Sequence, residues 1–149
     1  MTPYERVKER LVLTTDRGRL DIALIHGFLK DAYWAGGIPE EIVSRSIRNS
    51  LCFGVYEGPR QVGFARVISD YATFAYLADV FVVESHRGKG IGTWLMECIM
   101  SHPDLQGLRK WHLATRDAHA LYRRFGFRPP GKPETQMEIL DSEIYRRHL

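Results

Sequence analysis

The sequence predicts an α+β fold in which helices cover one sheet. Three strand patterns follow one another over residues 51–56, 61–69 and 73–83, with short turns between them. Consecutive strands joined by short turns are most simply antiparallel. Helical patterns, in which apolar residues recur every three or four positions, stand before and after these strands. The predicted order of elements is therefore β-α-α-β-β-β-α-β-α-β.

The chain before the central strands predicts one short strand and two helices. An apolar run at residues 11–13 is the strand candidate. Asp21 is placed to cap the first helix, because its carboxylate can accept the N–H groups that open a helix. The glycines at 36–37 end that helix, and Pro39 suits the first turn of the second.

The chain after the central strands predicts two more helices, each followed by a strand. The first helix ends by Pro103, where an apolar helical pattern stops. Residues 110–115 alternate between polar and apolar like a strand, and Asp117 is placed to cap a short helix. Residues 135–140 are the last strand candidate.

Length and composition exclude several classes of protein. The 149 residues are 44% hydrophobic and 26% charged, which is typical of a single globular domain spanning residues 1–149. A net charge of +3 does not argue for a nucleic-acid partner, and no apolar run is long enough for a membrane span or signal peptide. Cys52 and Cys98 stand alone in apolar segments. We therefore expect buried free thiols, no metal site and a cytoplasmic location.

The turn between the last central strand and the next helix carries the strongest chemical signal. Alternate glycines allow a sharp turn and let a ligand approach backbone N–H groups. A helix begins directly afterwards, and its N-terminus attracts anions, as do the two basic residues of the turn. The sequence therefore predicts a phosphate-binding turn; glycines that serve only the geometry of the turn are the alternative. The turn contains Arg87, Gly88, Lys89, Gly90 and Gly92.

Two motifs resemble the GCN5-related N-acetyltransferase (GNAT) family. The spacing Arg87-x-x-Gly90-x-Gly92 is similar to the acetyl-coenzyme A motif of that family. Residues 115–127 resemble its pattern Asn-x-x-Ala-x-x-Leu-Tyr-x-x-x-Gly-Phe, with Thr115 in the asparagine position. The resemblance implies a GNAT fold, whose mixed and mostly antiparallel sheet of six to seven strands is flanked by about four helices.

The resemblance also implies that acetyl-coenzyme A (acetyl-CoA) is the cosubstrate. Strand backbone groups are expected to bind the pantetheine amides, and the glycine turn to bind the pyrophosphate. A threonine hydroxyl offers the pantetheine fewer groups than the usual asparagine amide. The expected residues are Phe81, Val82, Val83, Arg87, Gly88, Lys89, Gly90, Ile91, Gly92, Thr93 and Thr115.

Two residues are candidates for proton transfer. Tyr122 matches a tyrosine that in many family members protonates the departing thiolate; a packing role is the alternative. Asp79 is the best-placed carboxylate, because it shares strand parity with Phe81 on the face that the family turns towards the acetyl group. It would accept the amine proton directly or through a water. Binding a cationic substrate, or pairing with an arginine, are its alternatives.

The implied reaction transfers an acetyl group to the primary amine of a small molecule by direct attack in a ternary complex. Phe28, Tyr33 and Trp34 resemble the region that lines acceptor sites in the family, although core packing is an alternative for them. Acceptors on proteins, at lysines or N-termini, and a non-catalytic coenzyme A sensor stay open. A homodimer also stays open, because family members often dimerise; neither nucleic acid nor membrane is an expected partner.

Overall fold

The computed structural model, which describes residues 2–148, contains one six-stranded sheet with helices on both faces. The strands lie in chain order; every neighbouring pair is antiparallel except β5 and β6, which are parallel. The predicted α+β fold with a mixed sheet is therefore confirmed. The strands are β1 (Glu5–Lys8), β2 (Leu11–Thr14), β3 (Leu51–Glu57), β4 (Arg60–Ser69), β5 (Phe74–Val82) and β6 (Lys110–His112), and the helices are α1 (Ile22–Leu29), α2 (Glu40–Arg48), α3 (Ile91–Met100) and α4 (His119–Arg123).

Two apolar clusters hold the helices to the sheet. One cluster joins α1 and α2 to one face, and the other joins α3 to the opposite face. The helical periodicity places one buried stripe on each helix. As predicted, the Asp21 carboxylate accepts the Leu24 N–H at 3.0 Å and caps α1. The buried residues include Ile25, Leu29, Val43, Ile47, Phe64 and Phe81 in the first cluster and Phe53, Val55, Leu77, Ile91, Leu95 and Ile99 in the second.

The two ends of the chain differ from the prediction. Strand β1 was not expected, because all four of its residues are exposed and their sequence shows no buried face. The strand predicted over residues 135–140 is wrong: residues 136–140 form no ladder, and the side chains of Met137 and Ile139 are fully exposed. An alternating apolar pattern becomes a strand only beside a partner edge. Residues 136–140 lie beside no such edge in the described chain.

The predicted Asp117 cap of the short helix is also wrong. The Thr115 hydroxyl oxygen accepts the Ala118 N–H at 3.0 Å, three residues along the chain. The Asp117 carboxylate instead lies exposed beside the Arg116 guanidinium, at 3.7 Å. Thr115 therefore supports the local structure that presents α4.

A bulge in β5 separates β5 from β6. Between the pairs Phe64↔Phe81 and Arg66↔Ala78, β4 advances two residues while β5 advances three. Asp79 takes up the extra residue with a left-handed backbone, at φ +57°. A bulge bends its strand. Pairing of β5 with β6 ends after Tyr76↔His112, so an opening forms between the two strands beyond that point.

The Tyr56 hydroxyl provides a test of core energetics. It is buried and has no hydrogen-bond partner within the described chain, and burial raises its pKa to about 12. An unpaired buried hydroxyl costs about 1–3 kcal/mol of desolvation. Tyr56→Phe is therefore expected to keep or raise the free energy of unfolding, by up to about 1 kcal/mol, as measured by urea denaturation. A loss of stability would contradict an unsatisfied hydroxyl.

Candidate active site

The opening between β5 and β6 is a cavity of about 450 Å³. Its walls come from the bulged part of β5, from the segment after β6, and from the connection between α1 and α2. Five residues that the sequence predicted for the functional site line this one cavity: Tyr33, Trp34, Asp79, Thr115 and Tyr122. Residues distant in sequence therefore meet where the sheet separates.

Aromatic side chains form one wall of the cavity. The rings of Tyr33 and Trp34 meet edge to face at 5.0 Å. The Arg116 guanidinium lies 3.9 Å from the centre of the Tyr33 ring, and the Arg116 backbone N–H donates to the Tyr33 hydroxyl at 2.9 Å. These contacts tie the α1–α2 connection to the segment after β6. Phe28, in contrast, stacks on Phe81 at 4.1 Å and supports the wall from behind.

Both carboxylate oxygens of Asp79 accept hydrogen bonds. Arg66 Nε donates to Oδ2 at 2.8 Å, and Trp34 Nε1 donates to Oδ1 at 2.9 Å. The ion pair is largely buried, with the Arg66 and Asp79 side chains 16% and 10% exposed. The guanidinium also donates to Ser50 Oγ at 3.0 Å. Asp79 thus makes the arginine pair that the sequence left open as an alternative, and it fixes the indole of Trp34.

The Tyr122 ring lies in α4 at the floor of the cavity. Only 9% of the residue is exposed, and its ring packs edge-on against Phe127 at 5.9 Å. Burial, with smaller contributions from Tyr33 and Asp117, raises the pKa of the Tyr122 phenol to about 12. The phenol therefore stays protonated near neutral pH and can donate a proton or a hydrogen bond into the cavity.

The glycine-rich turn has the geometry of an anion site. Gly88 and Gly90 have φ of +74° and +80°, and no atom lies within 4 Å of a β-carbon built on either. Gly90 is the N-cap of α3, and no side chain of the described residues caps this helix. Its first N–H groups are therefore open to a ligand. Arg124 Nη1 donates to Thr93 Oγ1 at 3.2 Å and brings a further positive charge to the same end of the helix.

A buried histidine fixes this turn to the sheet. His86 Nε2 lies 3.1 Å from Glu57 Oε1 at the end of β3, and His86 Nδ1 lies 2.8 Å from Ser85 Oγ. The hydrogen bond from His86 lowers the pKa of the Glu57 carboxyl. Sequence reasoning missed this pair, because nothing in the spacing of residues 57 and 86 indicates that they meet.

The three strand residues expected to contact the cosubstrate are not equivalent. The Val83 N–H donates to the Val62 carbonyl at 2.9 Å, so its backbone faces β4. Because backbone groups alternate along a strand, those of Val82 face the open edge, where its carbonyl accepts Arg87 Nε at 3.0 Å. The Phe81 side chain is buried in the core. Val82 is therefore the residue of this group that presents its backbone to the opening.

Arg66 and Tyr76 also belong to the site but were missed from the sequence. Tyr76 lines the cavity and stacks on His112 at 5.7 Å. Arg66 carried a usable signal, because it is a charge inside an otherwise apolar central strand, and such a charge requires a partner. The sequence gives no comparable signal for Tyr76, because aromatic residues are common in strands.

The two thiols take no part in this cavity. Burial raises the pKa of Cys52 to about 12 and that of Cys98 to about 11, and neither thiol lines the opening. Across residues 2–148, no three His, Cys, Asp or Glu side chains group closely enough to hold a metal ion. None of the described helices has the length and apolar character of a membrane span.

A family model for the acetyltransferase (GNAT) domain matches residues 48–129 of this chain. The chain belongs to the GNAT family. The match runs from the end of α2 past α4, so it contains the bulged strand, the glycine turn and every wall of the cavity except the one formed by Tyr33 and Trp34. The resemblance drawn from the two motifs is thereby confirmed, and this GNAT protein is an acetyltransferase.

Relatives of this GNAT acetyltransferase agree with the assignment. A candidate acetyltransferase of Gibberella zeae, FG08082, is 32% identical over 143 residues, with 80% of each chain covered. A crystal structure from Xanthomonas campestris pv. campestris, described as a candidate GNAT acetyltransferase, is 55% identical with a TM-score of 0.88 over 91% of this chain and 96% of that one. A Clostridium acetobutylicum structure solved with acetyl-CoA shares the fold at 15% identity and a TM-score of 0.60, covering 80% of this chain and 90% of that one.

Proposed function

We propose that this GNAT acetyltransferase moves the acetyl group of acetyl-CoA to the primary amine of a small molecule. The observation that carries the proposal is the cavity between β5 and β6, where the Tyr122 phenol meets an aromatic wall. A volume of about 450 Å³ lies in the range of small-molecule sites. The contact between Tyr33 and Arg116 joins two walls of the cavity, which favours a compact acceptor over an extended peptide.

The glycine turn fits the pyrophosphate of acetyl-CoA. Open backbone N–H groups, a helix N-terminus and the basic side chains of Arg87, Lys89 and Arg124 together suit a doubly charged anion. From the turn, the open edge at Val82 leads towards Thr115 and Tyr122 along the separation of the strands. A pantetheine chain bound along this edge would bring its sulfur to the cavity, beside Tyr122.

The residues of the cavity support direct attack by the amine. Acetyl-CoA supplies an acetyl thioester, whose C–S bond breaks as the C–N bond to the acceptor forms. Tyr122 gives its phenolic proton to the departing sulfur, and the proton lost by the amine returns to the phenol through water. Such general-acid help is worth about 10²–10⁴ in rate. A covalent route through Cys52 or Cys98 is disfavoured, because burial keeps both thiols protonated.

We assign Asp79 a positioning role. The carboxylate is held between two donors, Trp34 Nε1 at 2.9 Å and Arg66 Nε at 2.8 Å, so each of its oxygens makes a contact that fixes another side chain. The carboxylate orients the indole that walls the acceptor pocket, and its charge is balanced by the guanidinium. The amine proton is then lost to water in the open cavity.

An acceptor screen tests the proposed function. Thiol release from acetyl-CoA is measured with polyamines, amino acids, aminoglycosides, and peptides that present a lysine or a free N-terminus. Turnover with a small amine supports the proposal. Turnover with peptides alone would make this a protein acetyltransferase, and tight coenzyme A binding without turnover would make it a sensor.

Gly90→Val tests the pyrophosphate site. A β-branched residue is strained at φ +80° and shields the N–H groups that open α3. Because each hydrogen bond to a charged group is worth about 1.5–3 kcal/mol, we expect acetyl-CoA affinity to fall about 10-fold or more in calorimetry. The matched control is Gly107→Val, which has a similar φ of +74° and equally open surroundings outside the turn. Equal affinities of the two folded variants would contradict the assignment.

A further inference from the structure

The cavity between β5 and β6 has few charged residues in its walls. Asp79, Arg116 and Asp117 are the charged residues that line it within the described chain. The charge of Asp79 is balanced by Arg66 at 2.8 Å, in a pair that is largely buried. The other lining side chains are aromatic, apolar or, at Thr115, a hydroxyl. A second charged group on an acceptor amine would therefore meet Arg116 or Asp117.

Two contacts with Tyr33 fix the position of Arg116. Its backbone N–H donates to the Tyr33 hydroxyl at 2.9 Å, and its guanidinium lies over the same ring, 3.9 Å from the ring centre. The N–H groups of a guanidinium lie in its plane, so stacking covers one face and leaves the donors free. A side chain that is ordered before the ligand arrives loses less conformational entropy on binding.

The guanidinium of Arg116 has unused hydrogen-bond donors. It makes no side-chain hydrogen bond within residues 2–148, and the carboxylate within 4 Å of it, that of Asp117, lies at 3.7 Å. Both side chains of this pair are about two-thirds exposed, at 65% and 69%. An exposed pair of this kind contributes little. A ligand carboxylate can accept two parallel N–H bonds from the guanidinium and is the stronger partner.

From these observations we propose that the acceptor carries a carboxylate in addition to its amine, and that Arg116 binds this carboxylate. The inference rests on the proposed transfer to a small amine and names its substrate class as amino acids. The amine reacts beside Tyr122, and the carboxylate lies at Arg116. The C–N bond forms as the C–S bond of the thioester breaks, so the products are an N-acetylated amino acid and coenzyme A.

The same charges disfavour polyamines and aminoglycosides. A second ammonium group needs an acidic partner in the cavity, but both oxygens of Asp79 already accept hydrogen bonds from Arg66 and Trp34. Asp117 lies beside the positive charge of Arg116, which repels a cation. No hydrogen bond within the described chain holds the Asp117 carboxylate in the cavity, so it can turn towards solvent when an acid binds.

Matched acceptors test the carboxylate site. Glycine, β-alanine, 4-aminobutyrate and leucine are each compared with the corresponding amide, which keeps the length of the acceptor and removes its negative charge. The value of kcat/KM at saturating acetyl-CoA is measured by thiol release, with 1,4-diaminobutane as the cationic acceptor. We expect at least one acid to exceed its amide and the diamine about 10-fold or more. Amides or a diamine that react as well as every acid would overturn the carboxylate site.

Substitutions of Arg116 make the test specific. Arg116→Met removes the charge and keeps an unbranched side chain against Tyr33, so the acid-to-amide ratio should fall about 10-fold or more, mainly through KM. Arg116→Lys keeps the charge without the planar fork and should retain part of the preference. The matched control is Arg123→Met, an exposed arginine on α4 that lines a second cavity beside β6 but not this one, and it should leave the ratio unchanged.

Two results with Arg116→Met would contradict its role. An unchanged acid-to-amide ratio would show that the guanidinium does not bind the acceptor. A large loss of acetyl-CoA affinity in calorimetry would place Arg116 at the cosubstrate instead.

A binding measurement separates this inference from the proposed function. Calorimetry of each acid and its amide with the protein saturated with coenzyme A requires no turnover. An acid that binds about 10-fold or more tightly than its amide but is not acetylated would keep the carboxylate site and contradict transfer to small amines. Turnover of small amines without a preference for any acid would keep the transfer and overturn the carboxylate site. Neither binding nor turnover of any acid would overturn both.

Discussion

Tyr122→Phe is expected to lower turnover about 100-fold or more while acetyl-CoA affinity stays nearly unchanged. The substitution removes one oxygen and keeps the ring, so the contact with Phe127 survives. Burial raises the pKa of this phenol to about 12, so the phenol is protonated near neutral pH and gives up its proton only as negative charge develops on sulfur. Without it, the thiolate leaves unprotonated or takes a proton from water. The interaction lost is made as charge develops on sulfur, so ground-state binding changes little.

The matched control for Tyr122→Phe is Tyr76→Phe. It removes a hydroxyl from the same cavity but from β5 instead of α4, and near-normal turnover is expected. Steady-state turnover at saturating acceptor and calorimetric affinity are measured on both variants. Near-normal turnover of Tyr122→Phe would remove this residue from the mechanism and leave the proton to water or to the acceptor.

Asp79→Ala is expected to lower the free energy of unfolding by about 3 kcal/mol or more, because it leaves a largely buried guanidinium without its counter-charge. A left-handed backbone adds about 1 kcal/mol of strain for alanine. Turnover is expected to fall as well, since the Trp34 indole loses the acceptor that fixes it. Urea denaturation and acceptor kinetics measure the two effects.

Two further variants separate these causes. Asp79→Gly removes the carboxylate without the strain, so it should be less destabilising than Asp79→Ala. Adding Arg66→Met to Asp79→Gly removes the stranded charge and should restore part of the stability. If the double variant also regains part of the turnover, Asp79 acts through its pair with Arg66. If its stability is restored and turnover stays lost, Asp79 acts on the substrate directly or through the indole of Trp34.

The sequence predicts those parts of the fold that depend on short spacings. Asp21 caps α1 three residues away, and the motif around Gly90 and Tyr122 identifies the two ends of the site. Local signals fail where the decisive contact is distant. The polar residues of β1 become a strand only beside β2, and Thr115 rather than Asp117 supports α4.

The contacts of Asp79 show the same difference between local signals, which the sequence reveals, and distant contacts, which it does not. The sequence predicted its position in a strand. It did not predict the hydrogen bond from Trp34, which is 45 residues away, or the ion pair with Arg66 on the neighbouring strand. The bulge that turns the carboxylate towards both partners depends on one extra residue in β5, and the sequence of β5 contains no glycine or proline that would reveal it. Phe28 likewise supports Phe81 rather than facing the cavity, which only the packing reveals.

Because Cys52 and Cys98 are buried, neither is expected to react readily with thiol reagents. Alkylating reagents attack thiolates, and burial suppresses the thiolate of both residues. A cysteine introduced on the exposed surface, for example by Gln136→Cys, would therefore be the site that a maleimide probe labels. A colorimetric thiol reagent should likewise detect the thiol of released coenzyme A and not the cysteines of the enzyme. The native cysteines therefore do not have to be replaced for this assay.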